Sequence, residues 1–280
     1  MIIDRYLMEI TVKVLTCYLE IIRRHLNLGV VDIIQAWHDQ ANFCDNSTGI
    51  YMEILPGVHQ IKVRGSSVML VVGQDVTLVD AGLSWSPNEL NSYMRKAGLD
   101  IKDISRIIIT HHHLDHAGGA AQLKRLTGAE LAAHSADALY IAGAELYPSP
   151  FVSPVLGAIA SPVINRLQPR QVAVDVSLED GDNIGPFTVV HVPGHTMGSI
   201  ALHDTTRGFL MVGDALQNRF GRLSQPDRLF TVDMVQANRS IEKMARLDFE
   251  VLCFSHFAPI MHGGRQRLEE LASRLVARTP

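Results

Sequence analysis

Residues 104–119 read ISRIIITHHHLDHAGG, and this stretch decides both the fold and the candidate site of the chain. Its isoleucine-rich first half is typical of a buried strand. The strand continues directly into an HxHxDH pattern, and a Gly-Gly pair follows. Loops at strand ends carry functional side chains because a rigid scaffold positions them there. The stretch therefore predicts a metal site at the end of a buried strand.

The residue types in this motif fit a borderline divalent cation. Histidine supplies a neutral imidazole nitrogen and aspartate supplies an anionic oxygen, a combination that suits Zn²⁺ far better than Ca²⁺ or Mg²⁺. His111 and His113 can point the same way, while Asp115 and His116 could face a second ion. The alternative, a surface run of histidines, is disfavoured by the apolar strand before the motif and the Gly-Gly pair after it.

Three further candidate ligands lie at the ends of apolar segments. His195 stands in HVPGHTMGS, Asp214 in MVGDA and His256 in CFSHFAP. Each of these residues alone is weak evidence for a metal ligand, because a lone aspartate after a strand is more often a helix cap. Their repetition at strand ends is the stronger signal. The predicted metal ligands are His111, His113, Asp115, His116, His195, Asp214 and His256. His262 competes with His256, which we prefer because it ends a strand.

Short strands and helices alternate in two blocks after residue 52. Strands are predicted at 58–63, 68–72, 76–79 and 104–110, then at 131–133, 172–178, 187–192, 199–203, 209–212 and 251–254. Helices are predicted at 87–96, 117–126, 136–142, 232–246 and 265–277. This pattern indicates an α/β protein made of two layered halves.

Residues 1–51 differ from the rest of the chain. Apolar residues recur at helical spacing over 6–26, and a second helix is predicted at 30–37. We predict a helical N-terminal extension at 1–51 and a catalytic domain at 52–280. The extension is interpreted as an added helical layer or as the contact of a homodimer. A third interpretation is that Met52 is the natural start.

Composition limits the classes of partner. The chain is 47% hydrophobic and 19% charged with a net charge of −4, and it has no long basic run, so neither nucleic acid nor an anionic membrane is an expected partner. Its three cysteines form no CxxC pair, and charged residues interrupt the apolar N-terminus. The uncharged segment 146–165 contains four prolines, which argues against a membrane helix. We expect a cytoplasmic protein with a small-molecule substrate and no stable membrane insertion.

Residues 52–280 resemble the metallo-β-lactamase superfamily of hydrolases. The resemblance lies in HxHxDH at 111–116, PGHT at 193–196, GD at 213–214, LVDAG at 78–82 and His256 before the last helix. It implies a four-layer αβ/βα sandwich with two metals at one edge of the paired sheets. Phe257 departs from the family, which often has glycine after the last histidine.

The resemblance also implies how the ligands are divided. It assigns His111, His113 and His195 to one metal and Asp115, His116 and His256 to the other, with Asp214 bridging both. It further implies that Asp80 orients a ligand by hydrogen bonding, although a simple turn residue is an equal interpretation of Asp80.

The implied activity is that of a binuclear metal-dependent hydrolase. Two divalent ions, Zn²⁺ before Mn²⁺ or iron, would hold a bridging hydroxide that attacks an ester, lactone or thioester carbonyl, and Asp115 would carry the proton to the leaving group. This substrate preference rests on the apolar segment 148–167, interpreted as a wall or lid for an acyl chain, and on Phe220 and Phe230. The alternative interpretation of the segment is a packed connecting helix. The alternatives are a mononuclear iron persulfide dioxygenase and a phosphodiesterase or phosphotriesterase of the same fold. Glyoxalase II is also left open, although its glutathione-binding C-terminal region is not recognised in this sequence. A β-lactamase is disfavoured because Asp214 stands where such an enzyme often has Cys or Ser.

Overall fold

The computed structural model describes residues 51–63, 65–84, 86–148 and 169–277, together with residues 153, 155, 157 and 158. The compact unit that contains them comprises Ile50–Pro280. The helices expected at 6–26 and 30–37 lie outside the described residues, as does most of the segment 148–167. The domain boundary at residue 52 stays a prediction.

Seven strands form the first sheet and follow one another in chain order. Neighbours from β1 to β4 are antiparallel, and those from β4 to β7 are parallel. The strands are β1 Tyr51–Leu55, β2 Val58–Lys62, β3 Ser67–Val72, β4 Val76–Val79, β5 Ile104–Ile109, β6 Glu130–His134 and β7 Val176–Leu178. The isoleucine run predicted as a buried strand is β5, at the centre of the parallel part.

Five strands form the second sheet, in the order β14-β11-β10-β9-β8, and two more form a separate hairpin. In the sheet only β11 and β14 are parallel neighbours. The strands of the sheet are β8 Asn183–Ile184, β9 Phe187–His191, β10 Ile200–Asp204, β11 Phe209–Met211 and β14 Val251–Cys253. The hairpin consists of β12 Gln217–Arg219 and β13 Arg222–Ser224.

Six α-helices and a short 3₁₀ turn at Ile101–Asp103 accompany the described strands. The helices are α1 Ser86–Lys96, α2 Leu114–Ala117, α3 Ala120–Thr127, α4 Ser135–Ile141, α5 Met234–Met244 and α6 Gly264–Val276. Asp233 begins α5 as its N-cap and accepts hydrogen bonds from the amides of Val235 and Gln236. In the described part of the chain no helix has the length and apolar character needed to cross a bilayer.

Three apolar clusters show how the layers stack. One joins β2–β6 to α1 and α3, and its buried helical members include Leu90 and Leu123. Another joins the second sheet to α5 and α6, through residues such as Ile241 and Leu268. The third contains residues of both sheets, including Ile108. Helices therefore cover the outer face of each sheet while the inner faces pack together, which confirms the expected four-layer αβ/βα sandwich.

Several local features differ from the sequence prediction. Strands β1 and β8 were not predicted, and the strand expected at 172–178 is limited to β7. The helix expected at 117–126 is divided into α2 and α3 at Gly118 and Gly119. A Cβ atom on Gly119 would lie 2.3 Å from the carbonyl oxygen of Ala81, so this pair permits a close approach to the chain after β4. The hairpin β12–β13 was not predicted, because QNRFGRLS lacks the apolar alternation that indicates a strand.

Strand direction brings the carboxyl ends of β4, β5, β9, β11 and β14 to one edge of the sandwich. Hydrogen bonds join the two sheets there. The amide of Ile200 donates to the carbonyl of Thr110 at 2.9 Å, and the amide of Ser67 donates to the carbonyl of Ser255 at 2.6 Å. The loops that contain the predicted ligands therefore meet at this edge.

Candidate metal centre

All seven side chains predicted as ligands converge at this edge in three overlapping groups, and the ligand atoms of each group lie within 4.8 Å of one another. The groups are His111, His113 and His195; His111, His116 and Asp214; and Asp115, His116 and His256. The first and third groups contain the residues of the two ligand sets that the family resemblance implies, and the second brings one residue of each set together with Asp214.

Imidazole rings alone form the first group. The rings of His111, His113 and His195 are nearly perpendicular to one another, with centroids 4.7–4.8 Å apart. Nδ1 of His113 lies 3.0 Å from Nε2 of His195. Two nitrogen ligands of one tetrahedral Zn²⁺ are roughly 3.3 Å apart, because each bond is about 2.05 Å. The nitrogens of His113 and His195 are thus spaced as ligands of a single ion, and the ligand nitrogen of His111 lies within 4.8 Å of both.

His111 contains an orphaned nitrogen. Its Nδ1 lies 3.1 Å from Oγ1 of Thr110, which leaves Nε2 as the second polar atom of the ring. That Nε2 is buried and has no hydrogen-bond partner among the described residues. Burying a polar nitrogen without a partner costs about 1–3 kcal/mol. A cation bound by this group would satisfy the nitrogen.

Carboxylates and imidazoles alternate in the remaining part of the site. Nε2 of His256 lies 3.2 Å from Oδ2 of Asp214 and 3.3 Å from Oδ2 of Asp115. Nε2 of His116 lies 3.6 and 3.7 Å from the same two oxygens. The two imidazole nitrogens are 3.4 Å apart. This set offers two nitrogens and two oxygens to a cation.

Asp214 lies between the two parts of the site. Its Oδ2 is 3.8 Å from Nε2 of His195 in the first group, besides its contacts with His116 and His256. The preceding residue, Gly213, has a φ of 54°, and a Cβ atom there would lie 3.0 Å from Oγ1 of Thr110. Glycine is therefore required next to Asp214 both for its left-handed backbone and for its close approach to β5.

Asp80 connects the backbone of the site to one of its imidazoles. Its Oδ2 lies 2.8 Å from Nδ1 of His116, and its Oδ1 accepts hydrogen bonds from the amide and hydroxyl of Thr110 at 2.8 and 2.9 Å. Ser255 also donates to Oδ2, at 3.3 Å. Asp80 is fully buried, so its carboxylate orients His116 as the resemblance implied.

Burial keeps the first group neutral. It lowers the pKa of His111 and of His113 well below the usual value, and it lowers the pKa of His195 to about 4. Neighbouring histidines contribute to the lowered pKa of all three. Near neutral pH the rings are therefore unprotonated, the state in which imidazole binds a metal ion.

The carboxylate part of the site has the opposite electrostatic character. Burial opposes the charged forms of His256 and Asp115, but their mutual attraction and that of the neighbouring Asp214 and His116 outweigh it. The pKa of His256 is raised to about 10, and that of Asp115 is lowered to about 2. The partly buried carboxylates thus require positive charge nearby, which a proton or a divalent cation can supply.

Several other residues singled out in the sequence lie outside the cluster. His262, the competing ligand, has a side chain that is 91% exposed and faces Glu250 at 3.7 Å. Phe220 occupies the tip of the β12–β13 hairpin and is 91% exposed. His191 stacks on His134 with ring centroids 3.9 Å apart, and its Nε2 contacts the carbonyl of Met197.

The structure adds supporting residues that the sequence did not indicate. Thr110 and Ser255 bind Asp80, and Oγ1 of Thr231 lies 3.4 Å from Nδ1 of His195. Threonine and serine at strand or loop ends are ordinary residues, so their type gives no signal. The place of Thr110 directly before the motif was the one available indication.

The donor set fits a resident cation on two counts. Five imidazoles and two carboxylates meet at spacings suited to metal ligands, and the buried Nε2 of His111 has no other partner in the described part of the chain. A four-layer α/β sandwich with such a set at the edge of its two sheets defines a class of metal-dependent hydrolases.

Comparison with known proteins agrees with this class. Residues 61–256, more than half of the chain, match the family described as the metallo-beta-lactamase superfamily. The chain therefore belongs to the metallo-β-lactamase superfamily, as a hydrolase.

Its relatives include three described enzymes. The probable metallo-hydrolase YflN of Bacillus subtilis is 28% identical over 81% of this chain and 94% of its own length. The acyl-coenzyme A thioesterase MBLAC2 of Homo sapiens is 31% identical over 77% of each chain. A hydroxyacylglutathione hydrolase of Ectopseudomonas mendocina is 31% identical over 51% of this chain, but the match spans only 43% of that enzyme.

A solved structure also has this fold. The metallo-beta-lactamase family protein TTHA1429 of Thermus thermophilus superposes with a TM-score of 0.62 over 81% of each chain, at 24% identity. The likeness confirms the four-layer architecture of the described residues.

Proposed function

We propose that this chain hydrolyses the carbonyl–sulfur or carbonyl–oxygen bond of an acyl thioester or ester, with two divalent cations held by the seven residues of the site. One observation carries the proposal: two histidine-containing groups share Asp214 between them, at the meeting edge of two sheets. This arrangement is what a two-metal hydrolytic site requires.

The substrate class is supported by two relatives of the chain. MBLAC2 is named as an acyl-coenzyme A thioesterase and matches across most of both chains. The hydroxyacylglutathione hydrolase is named for another acyl conjugate of a thiol. A thioester is therefore favoured over a lactone or a phosphodiester.

Each group of ligands has its own task in this proposal. His111, His113 and His195 hold one cation through neutral nitrogens, and Asp115, His116 and His256 hold the other. When bound, the cations supply the chemistry of lowering the pKa of water and polarising the substrate carbonyl. Asp214 sets the separation between the two groups because its carboxylate faces both.

Asp115 is proposed as the group that moves the proton. Its side chain is 31% exposed, so its carboxylate reaches the open side of the site. His116 and His256 lower the pKa of Asp115, so its carboxylate is unprotonated and can take up the proton that the attacking water loses. A departing thiolate is a much stronger base, with a thiol pKa of ~8.5, so transfer of the proton from Asp115 to the leaving sulfur is downhill.

The test pairs metal content with turnover. Protein purified without added metal is analysed for metal per chain and assayed on an acyl-CoA thioester, an aryl ester, a lactone and a phosphodiester, with Asp214→Asn as the inactive control. About two Zn²⁺ or Mn²⁺ ions per chain with thioester turnover are expected. One iron with oxygen uptake would establish the persulfide dioxygenase instead. Turnover of the phosphodiester alone would move the protein to that class, and absence of stoichiometric metal would refute the proposal.

A further inference from the structure

Asp137 is a buried carboxylate outside the seven ligands and outside every motif used above. It lies in the first turn of α4 and is 1% exposed. A carboxylate buried this completely is stable only when hydrogen-bond donors surround it. The identity of those donors shows what Asp137 does.

Each donor belongs to one of two loops that contain imidazoles of the first group. Oδ2 accepts the amide of His112 and the hydroxyl of Thr196, both at 2.8 Å. Oδ1 accepts the amide of Gly198 at 2.9 Å. Nδ1 of His112 also lies 3.0 Å from Oδ2. His112 stands between His111 and His113, and Thr196 follows His195.

The packing around Asp137 leaves no room for adjustment. A Cβ atom on Gly198 would lie 2.5 Å from the carboxyl carbon of Asp137 and 2.6 Å from its backbone nitrogen. Contacts under 3.0 Å with backbone atoms force a shift of the chain. Gly198 is thus required for the 195–198 loop to approach the carboxylate.

We infer that Asp137 is a positioning residue, which fixes the loop of His111 and His113 against the loop of His195 and so sets the spacing of the three imidazoles of the first group. The inference rests on the proposed function, because it concerns the affinity of that group for a cation. Removal of a residue that orients a metal ligand typically lowers the metal affinity about 10- to 100-fold.

Asp137→Asn is the direct test. Asparagine has the same shape but only one acceptor oxygen, so one loop loses its partner and meets an amide NH₂ instead. The matched control is Asp204→Asn. Asp204 is also fully buried, accepts hydrogen bonds from the amide and guanidinium of Arg207, and ends β10 at the edge remote from the site.

The readouts are Zn²⁺ affinity by chelator competition, the absorption spectrum of the cobalt-loaded protein, and thermal unfolding of the metal-free protein. We expect Asp137→Asn to weaken binding of one ion by about 10- to 100-fold and to change the cobalt spectrum. Asp204→Asn should lower the melting temperature of the metal-free protein comparably while it retains parental affinity and spectrum.

A second pair of variants decides the matter if Asp137→Asn does not fold. Thr196→Val removes the hydroxyl donor, whereas Thr196→Ser keeps it. We expect the valine variant to bind Zn²⁺ about fivefold more weakly and the serine variant to match the parent.

Three results would overturn the inference. The first is a Zn²⁺ affinity of Asp137→Asn equal to that of the parent, or of Thr196→Val if Asp137→Asn does not fold. The second is a loss of Zn²⁺ affinity in Asp204→Asn equal to the loss in Asp137→Asn. The third is a parental protein that binds no Zn²⁺, which would refute the proposed function as well. The parental measurement therefore separates failure of the inference from failure of the function.

Discussion

The carboxylate of Asp80 lies 2.8 Å from Nδ1 of His116, and both side chains are fully buried. Because Asp80 occupies Nδ1, Nε2 is the nitrogen that faces Asp115 and Asp214. Asp80 itself has a φ of 63°, in the left-handed region that aspartate and asparagine tolerate better than most residues. This contact thus joins the end of β4 to a ligand loop that begins at the end of β5.

Replacing Asp80 with asparagine should preserve the backbone and disturb the ligand. The amide keeps the left-handed conformation but accepts fewer hydrogen bonds from His116, Thr110 and Ser255. We expect metal affinity to fall by about 10- to 100-fold and the free energy of unfolding by about 1–3 kcal/mol. Metal titration and urea unfolding measure the two effects. The exposed Asp75→Asn is the control, and equal behaviour of the two variants would contradict the assigned role.

Removal of metal should abolish turnover and lower stability together. The native site binds the cations more tightly than the unfolded chain does, so Zn²⁺ at a hundred times its dissociation constant should stabilise the protein by about 2.7 kcal/mol. Calorimetry of chelated and reconstituted protein checks this value, and turnover should return on reconstitution. If a chelator demonstrably removes the metal and the melting temperature does not change, the protein holds no cation that stabilises its fold.

Substitution of the ligands should separate true ligands from the exposed competitor. His111→Ala and Asp214→Asn should lower turnover at least a hundredfold, roughly, and lower the bound metal, because the remaining donors cannot complete a tetrahedral set. His262→Ala is the matched control, since its side chain is 91% exposed, and it should behave as the parent. The metal content and turnover of the three variants decide the assignment. Loss of metal in His262→Ala alone would reverse it.

Gly119→Ala tests the close approach of the ligand loop to the chain after β4. The new methyl group would lie 2.3 Å from the carbonyl oxygen of Ala81, so the backbone must move. We expect a loss of about 1–3 kcal/mol in the free energy of unfolding, with a secondary loss of metal affinity. Gly73→Ala meets nothing closer than 3.6 Å and serves as the control in urea unfolding. Equal stability of the two variants would show that the loop has more room than the structure indicates.

Phe220→Asn should stabilise the β12–β13 hairpin. Phe220 has a φ of 51° and precedes Gly221, whose φ is 75°, so the turn has left-handed residues at both centres. Asn-Gly is the preferred pair for such a turn, and phenylalanine in this conformation is strained. We expect a gain of about 0.5–1 kcal/mol in the free energy of unfolding. Thermal unfolding measures the gain. The KM for acyl substrates of increasing chain length is compared between the parent and Phe220→Asn. A change in KM at unchanged kcat would show that the exposed ring contacts substrate.

The sequence predicted the elements of the core because their apolar patterns are local. The isoleucines of β5 and the apolar ends of β9, β11 and β14 identify buried strands with no knowledge of their partners. The hairpin β12–β13 was missed, since its residues are polar and its pairing depends on a turn with left-handed phenylalanine. The helices expected before residue 52 lie outside the described residues.

The sequence by itself determined the seven candidate ligands, because histidine and aspartate at repeated strand ends have few other uses and strand ends are recognisable locally. Only the tertiary structure decided which ligands share a group, that His262 points away, and that Asp137 joins two ligand loops. Thr196 is 59 residues from Asp137 along the chain, and His256 is 140 residues from His116. Such contacts follow from the packing of one sheet on the other, and no local pattern of residues encodes that packing.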